Sequence, residues 1–373
     1  MDLTTLLKIM VQKGASDMFL TAGVPPSIKV HGSLVPITKA KMSPSFVKNL
    51  VLGCMDEDQR EEFLKSHECN FAIGNEEIGR FRVSALFQRS QTAMVIRRIN
   101  TQIPKFEDLN VPKVLEDLSM TKRGLILVVG GTGSGKSTSL AAMIGYRNAN
   151  SSGHIITIED PIEFVHEHNN CIITQREVGV DTDSFEVALK NTLRQAPDVI
   201  LIGEIRSRET MEYAIAFAET GHLAMATLHA NNANQALDRI INFFPEERRP
   251  QLLMDLSLNL KAVLAQQLIP TVDGKGRRAA IEILLNTPLA SQLIGKGDVH
   301  ELKELMKKST KDGMQTFDQA LYYLFKDGEI TEDAALKHAD SSNEVRLMIK
   351  NLKQERGTAS VMDGSDGFSL VQD

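Results

Sequence analysis

The chain has 373 residues, room for two compact domains of ordinary size, and its 42 basic against 48 acidic residues leave a net charge of −6, so no overall basic field marks a nucleic-acid binder. Cys54, Cys69 and Cys171 form no C-x-x-C pair, so neither a zinc site nor a disulfide framework is written here, and apolar runs such as Leu125–Val129 fall far short of the roughly 20 residues that cross a bilayer. The first residues carry an acid and no long apolar region, which excludes a secretory signal and makes the expected location cytoplasmic.

Residues 1–100 read as a small domain of helices and strands. Leu3–Lys13 has helical apolar spacing and Gly14 is placed to end it. Ile28–Val30 and Leu34–Val35 flank the turn signal His31-Gly32-Ser33 and read as a hairpin. Helices are expected over Ser43–Val51 and Asp56–Lys65, and half-buried strands over Gly79–Leu86 and Thr92–Ile99. In and around those strands lie Arg80, Arg82, Arg89, Arg97 and Arg98. Residues 101–112 contain Pro104 and Pro112 without a clear period and read as a linker, with a helix over Pro112–Leu118 leading onwards.

From Gly124 short apolar runs alternate with helices, the pattern of a largely parallel sheet covered on both faces. The expected strands are Leu125–Val129, His154–Ile158, Asp198–Ile202, Leu223–Leu228 and Ala279–Leu284. The expected helices are Lys136–Asn148, Phe185–Arg194, Arg208–Glu219, Asn234–Ile241 and Pro250–Gln267, with Gly221 at a left-handed cap. Thr287–Lys353 reads as mainly helical, and residues 354–373 as a disordered tail of low apolar content. The methionines, Met143, Met225 and Met254 among them, are most simply core filling.

Gly130-Gly-Thr-Gly-Ser-Gly-Lys-Ser137 satisfies G-x-x-x-x-G-K-S/T between a strand and a helix, the context of a phosphate-binding loop. Across Gly131, Thr132, Gly133, Ser134 and Gly135 the backbone N–H groups can turn inward onto phosphates, helped by the positive end of the helix that continues through Thr138. Lys136 is placed to reach the β- and γ-phosphates of ATP, and Ser137 to offer its hydroxyl to Mg²⁺. Asp198–Glu204 is an apolar strand ending in an acid, the shape of a Walker B segment; Glu204 is assigned to the magnesium shell, against the alternative of simple pairing with Arg206 or Arg208. Glu159, Asp160 and Glu163 crowd a second strand end around Pro161, and a nearby cation would relieve their repulsion. A strand-start histidine next to a glycine, such as His222, is often only a structural hydrogen-bonder, and so is one at a strand's far end, such as His229.

Together the phosphate loop, the acidic box Ile158-Glu-Asp-Pro-Ile-Glu-Phe164, the Walker B run after Arg194-Gln-Ala-Pro and the segment Thr220-Gly-His-Leu-Ala-Met-Ala-Thr-Leu-His-Ala-Asn231 resemble the hexameric ATPases of type II secretion and type IV pili. The short length and Asp17 resemble its pilus retraction branch. Ser16-Asp-Met-Phe-Leu20, Leu289-Ala-Ser-Gln-Leu-Ile294, Met254–Lys261 and the polar tail depart from the main retraction motor and resemble the accessory one.

The resemblance implies a PAS-like N-terminal α+β domain, then a RecA-like ATPase domain over 113–353 with a helical C-terminal extension, in a homohexamer with nucleotide between subunits. It implies ATP and Mg²⁺ as ligands. Glu163 would orient or deprotonate the attacking water, with Glu204 supporting it, and His222 would sense the γ-phosphate. His229, Glu159 and Asp160 would border the nucleotide. Arg82 and Arg97 would reach it from the N-terminal domain, although on their own they read equally as surface guanidinium groups on a strand. The implied partners are an inner-membrane pilus platform protein and a second retraction ATPase, stacked or co-assembled; nucleic acid is not among them. The implied station is the cytoplasmic base of the pilus machine.

Overall fold

The computed structural model describes residues 2–30, 32–75, 78–99 and 101–363. Residue contacts divide the chain into two units. The first is Met1–Ile103 with Thr157–His168 and Ile173–Asn191; the second is Pro104–Ile156 with Asn169–Ile172 and Thr192–Asp373. The division falls within the stretch read as a linker, and it assigns the acidic box to the first unit.

The first unit opens with α1 (Leu3–Gln12), where the Asp2 carboxylate caps the helix by accepting from the Thr5 N–H at 2.7 Å. There follow β1 (Asp17–Thr21), β2 (Ser27–Val30), β3 (Ser33–Pro36), α2 (Pro44–Gly53), α3 (Glu57–Ser66), β4 (Glu68–Asn75), β5 (Gly79–Gln88) and β6 (Gln91–Arg98). The strands form one antiparallel sheet in the order β3-β2-β1-β6-β5-β4. Alternate residues of β5 and β6, including Phe81, Val83, Met94 and Ile96, bury their side chains with Leu6, Met10, Val47 and Phe63 of the helices. Strands β1 and β4 were not expected. Polar residues interrupt both, and their stability comes from pairing with β6 and β5, partners that no local pattern specifies.

The second unit continues with α4 (Phe106–Leu109), α5 (Val114–Ser119), β7 (Gly124–Val129) and α6 (Lys136–Asn150). β8 (Gly153–Glu159), β9 (Cys171–Glu177) and α7 (Phe185–Thr192) come next, with residues 157–159 of β8, 173–177 of β9 and 185–191 of α7 counted in the first unit. The chain then forms β10 (Val199–Ile202), α8 (Arg208–Glu219), β11 (Leu223–Leu228), α9 (Ala233–Phe243), α10 (Arg249–Asn259), β12 (Leu260–Pro270) and β13 (Arg277–Leu285). The seven-stranded sheet runs β13-β12-β7-β11-β10-β8-β9. β7 is parallel to β11 and β12, β11 is parallel to β10, and β13 closes one edge by pairing antiparallel with β12. Every residue of β7, β10 and β11 is buried, as strands covered on both faces require.

One expected element is corrected. The helix over Pro250–Gln267 stops at Asn259, and residues 260–270 form β12. A continuous apolar run fits a buried strand as well as a helix, and here two neighbouring strands supply the pairing that decides it. Gly221 adopts φ +98° just past α8, the left-handed backbone its position required. Met143 and Met225 are buried, whereas Met254 is 54% exposed on α10 and fills no core.

The helical C-terminal part comprises α11 (Pro288–Lys296), α12 (Leu302–Lys308), α13 (Phe317–Lys326), α14 (Glu332–His338) and α15 (Ser342–Asp363). Residues 354–363, expected to begin a tail without regular structure, continue α15; residues 364–373 lie outside the described residues. No helix among the described residues is long and apolar enough to cross a membrane.

Candidate active site

The loop after β7 is shaped by its glycines. Gly133 and Gly135 have φ of +77° and +89°, a region glycine enters without steric cost. A Cβ at Gly135 would lie 2.7 Å from the Gln266 amide, and one at Gly130 would collide with Ser134 and the Gln266 carbonyl, so the turn is closed against β12. Helix α6 begins at Lys136 and points its N-terminus into the loop. The Lys136 ammonium donates to the carbonyls of Gly130 and Gly131 at 2.8 and 2.9 Å. Ser134 is buried and its hydroxyl has no hydrogen-bond partner. The hydroxyl is packed between Gly130 and β12, on the closed side of the loop. Thr132 is exposed, and Ser137 and Thr138 are half-buried at the mouth of the loop.

Three adjacent strands deliver their ends to this place. β7 runs into the phosphate loop, β11 into His229 and β10 into Glu204. Glu204 is 17% exposed; one oxygen lies 3.3 Å from His229 Nε2 and the other 2.7 Å from an Arg206 guanidinium nitrogen. The pairing with Arg206 is real, but it occupies one oxygen of a carboxylate that also faces the histidine. Thr227 donates to the Gly203 carbonyl and holds the ends of β10 and β11 together. A cavity of about 310 Å³ opens here, bordered by Gly131, His229, Ala230, Asn231, Gln235 and Arg239.

The same parallel register removes His222 from this group. Leu223 pairs with Gly124 and Leu228 with Val129, so His222 stands at the opposite end of the sheet, where its carbonyl accepts from the Gly124 N–H. Six residues of strand separate that level from Gly130, about 20 Å. Its Nδ1 lies 3.0 Å from the Thr220 hydroxyl and 3.2 Å from the Phe217 carbonyl, which fixes the ring to the end of α8. Within this chain His229 borders the same cavity as Gly131, whereas His222 is hydrogen-bonded at the opposite end of the sheet.

The acidic box belongs to the first unit, and within it the Glu163 backbone N–H donates to the Glu159 carboxylate. Glu159 is half-buried: burial pushes its carboxyl up to about 7, against hydrogen bonds from Thr157 at 2.6 Å and Gln175 at 3.2 Å. Asp160 and Glu163 are exposed. Between them the Ile162 N–H donates to Glu177 at 3.2 Å, and Glu177 is itself buried and faces Arg82 at 3.9 Å. Arg97 donates to Asp17 at 2.8 Å; burial raises the Asp17 pKa, but bonds from Arg97 and Ser16 outweigh that and leave it lowered. Both arginines are thus paired with carboxylates of their own unit.

Two features had no motif to announce them. Gln266, in the unexpected strand β12, accepts from the Ser139 hydroxyl at 2.8 Å and packs against the phosphate loop. Beside Gly135 and Thr138 lies a cavity of about 440 Å³ whose walls include Leu109, Val111, Leu268, Arg277 and Arg278. No group of three or more His, Cys, Asp or Glu side chains that could hold a metal occurs among the described residues. Ser137 and Glu204 are the hydroxyl and carboxylate that would hold Mg²⁺ together with phosphate oxygens, and both Glu204 oxygens here face His229 and Arg206.

The phosphate loop and the two strand ends beside it make the second unit that of a P-loop ATPase. The chain belongs to the type II/IV secretion system protein family, whose profile matches residues 2–323. It is 66% identical to the type IV pilus ATPase PilU of Pseudomonas aeruginosa over 370 residues, covering 99% of this chain and 97% of that one. To the type IV pilus retraction ATPase PilT of the same organism it is 41% identical over 339 residues, covering 91% and 98%. The crystal structure of the pilus retraction motor PilT with bound ADP superposes with a TM-score of 0.86 at 38% identity, over 92% of this chain and 98% of that one.

Proposed function

We propose that this protein is a cytoplasmic, homohexameric ATPase at the inner-membrane base of a type IV pilus, where it assists retraction as an accessory motor. The observation that carries the catalytic part is the delivery of the phosphate loop, His229 and Glu204 by three adjacent parallel strands. The greater identity to PilU than to PilT, 66% against 41%, supports the accessory role.

In this reading the backbone of residues 131–138 binds the phosphates and Lys136 neutralises charge on the transferred phosphoryl group. Mg²⁺, held by Ser137 and through water by Glu204, would offset charge on the phosphate oxygens. Glu163 orients or deprotonates the attacking water, a role that rests on the family's acidic box. His229, on Glu204, takes the γ-phosphate sensing that the resemblance implied for His222. A platform protein and a second retraction ATPase are the proposed partners.

Lys136→Ala is expected to lower ATP turnover by at least about 1,000-fold without unfolding the chain, as for loss of a charge that stabilises the transition state. Normal turnover in that variant would sink the phosphate-site reading. Deleting the protein from a piliated cell is expected to weaken retraction under load and leave unloaded retraction in place; complete loss of retraction assigns it the main motor's role instead.

A further inference from the structure

Glu282, in the middle of β13, is 1% exposed and belongs to none of the motifs above. One carboxylate oxygen accepts from the Ala233 N–H at 2.8 Å and the other from the Phe317 N–H at 3.4 Å. Ala233 is the first residue of α9 and Phe317 the first of α13, so a single buried side chain caps two helix N-termini at once. The first N–H groups of a helix have no partner within it, and an anion at that end is favoured by the helix dipole. Burial pushes the carboxyl up to about 7 against the pull of those N–H groups, so the site is held by directed hydrogen bonds in an enclosed place.

Helix α9 is the element that holds the histidine turn. Gln235 accepts from the Asn231 N–H at 3.2 Å, Asn232 caps the helix by accepting from the Gln235 N–H at 2.9 Å, and Arg239 donates to the His229 carbonyl at 3.0 Å. The turn is therefore tied to α9, and His229 at its start lies against Glu204. On the other side, Asp318 of α13 accepts from the Asp340 and Ser341 N–H groups ahead of α15, tying the C-terminal helices to the same point.

We infer that Glu282 is a positioning residue for ATP hydrolysis: it seats α9 so that His229 meets Glu204, and it links that seat to the C-terminal helices through α13. This rests on the reading of His229 and Glu204 as working groups. Glu282 touches no part of the phosphate loop, so its loss should act on turnover and leave nucleotide capture alone.

The test is steady-state ATPase kinetics of the full chain. Glu282→Gln keeps the shape but turns an amide N–H toward one of the two helix N–H groups; kcat is expected to fall about tenfold, the size of one charge-assisted hydrogen bond, with KM for ATP within about twofold. Ala233→Pro removes the partner N–H from the other side. Proline is tolerated at a first helical position, and Asn232 has the extended backbone, φ −149° and ψ 175°, that a residue before proline needs. It should give the same split; Ala233 is fully buried, so Asn232→Ala, which removes the α9 cap at a partly exposed position, should also give it and covers the case in which the buried variants do not fold. In a His229→Ala background none of these changes should lower kcat further. A rise in KM at constant kcat, unchanged kinetics, or losses that multiply with His229→Ala would overturn the inference. Unchanged turnover in His229→Ala alone would overturn the site reading beneath it as well, so the two failures are distinguishable.

Discussion

The two ends of β11 carry the same chemistry in different surroundings. His222 at its start is tied by Nδ1 to Thr220 and Phe217, while His229 after its end presents Nε2 to Glu204 beside the phosphate loop. Nothing in the imidazoles distinguishes them. Strand direction does: in an open parallel sheet the carboxyl ends gather the loops that bind ligand, and the amino ends are packing. The lesson is that a histidine motif has to be split by its place in the sheet before a role is given to either member.

Among the changes that separate the two ends, the largest expected effect is at the carboxylate that defines the working end. Glu204→Gln, which keeps shape and loses charge, is expected to lower kcat on the order of 100- to 1,000-fold, measured as phosphate release at saturating ATP. His229→Ala is expected to cost about tenfold in kcat, since it removes one hydrogen bond to a charged group. His222→Ala is expected to change kcat by less than about twofold and to destabilise the fold by about 1 kcal/mol in chemical denaturation, as for one ordinary hydrogen bond. Equal turnover losses in the two histidine variants would erase the distinction between the ends.

A smaller effect concerns the acidic box. Glu159 has a folded-state pKa of about 7, above its ordinary value of 4.5. The protonated form is the one burial favours, so its contribution is fully present below pH 4.5 and is lost as pH rises through 7. Glu159→Gln is therefore expected to gain stability over the parent chain near pH ~8 and little near pH ~5, read as the difference in thermal midpoint. An advantage that grows towards low pH instead would mean that the carboxylate is held in its charged form.

What was legible in the residues was local. The phosphate loop, β7, α6, α8 and β11 follow from short-range signals: glycines at a tight turn, apolar runs of strand length and a helix-period face. β12 and β9 were not legible, because an apolar run becomes a strand only when neighbours distant in sequence pair with it. The separation of His222 from His229 was hidden for the same reason, since it depends on the parallel register of β11 with β7. The pairing of Arg82 with Glu177, the closure of the loop by Gln266 and the double cap at Glu282 likewise join residues that no sequence spacing connects.

The most direct measurement is a crystal structure of the protein with a non-hydrolysable ATP analogue and magnesium. The γ-phosphate is expected within direct or one-water hydrogen-bond reach of the His229 imidazole, with His222 still on Thr220 and Phe217. A γ-phosphate bound by His222, with His229 turned away from it, would contradict the assignment of the working end of the sheet.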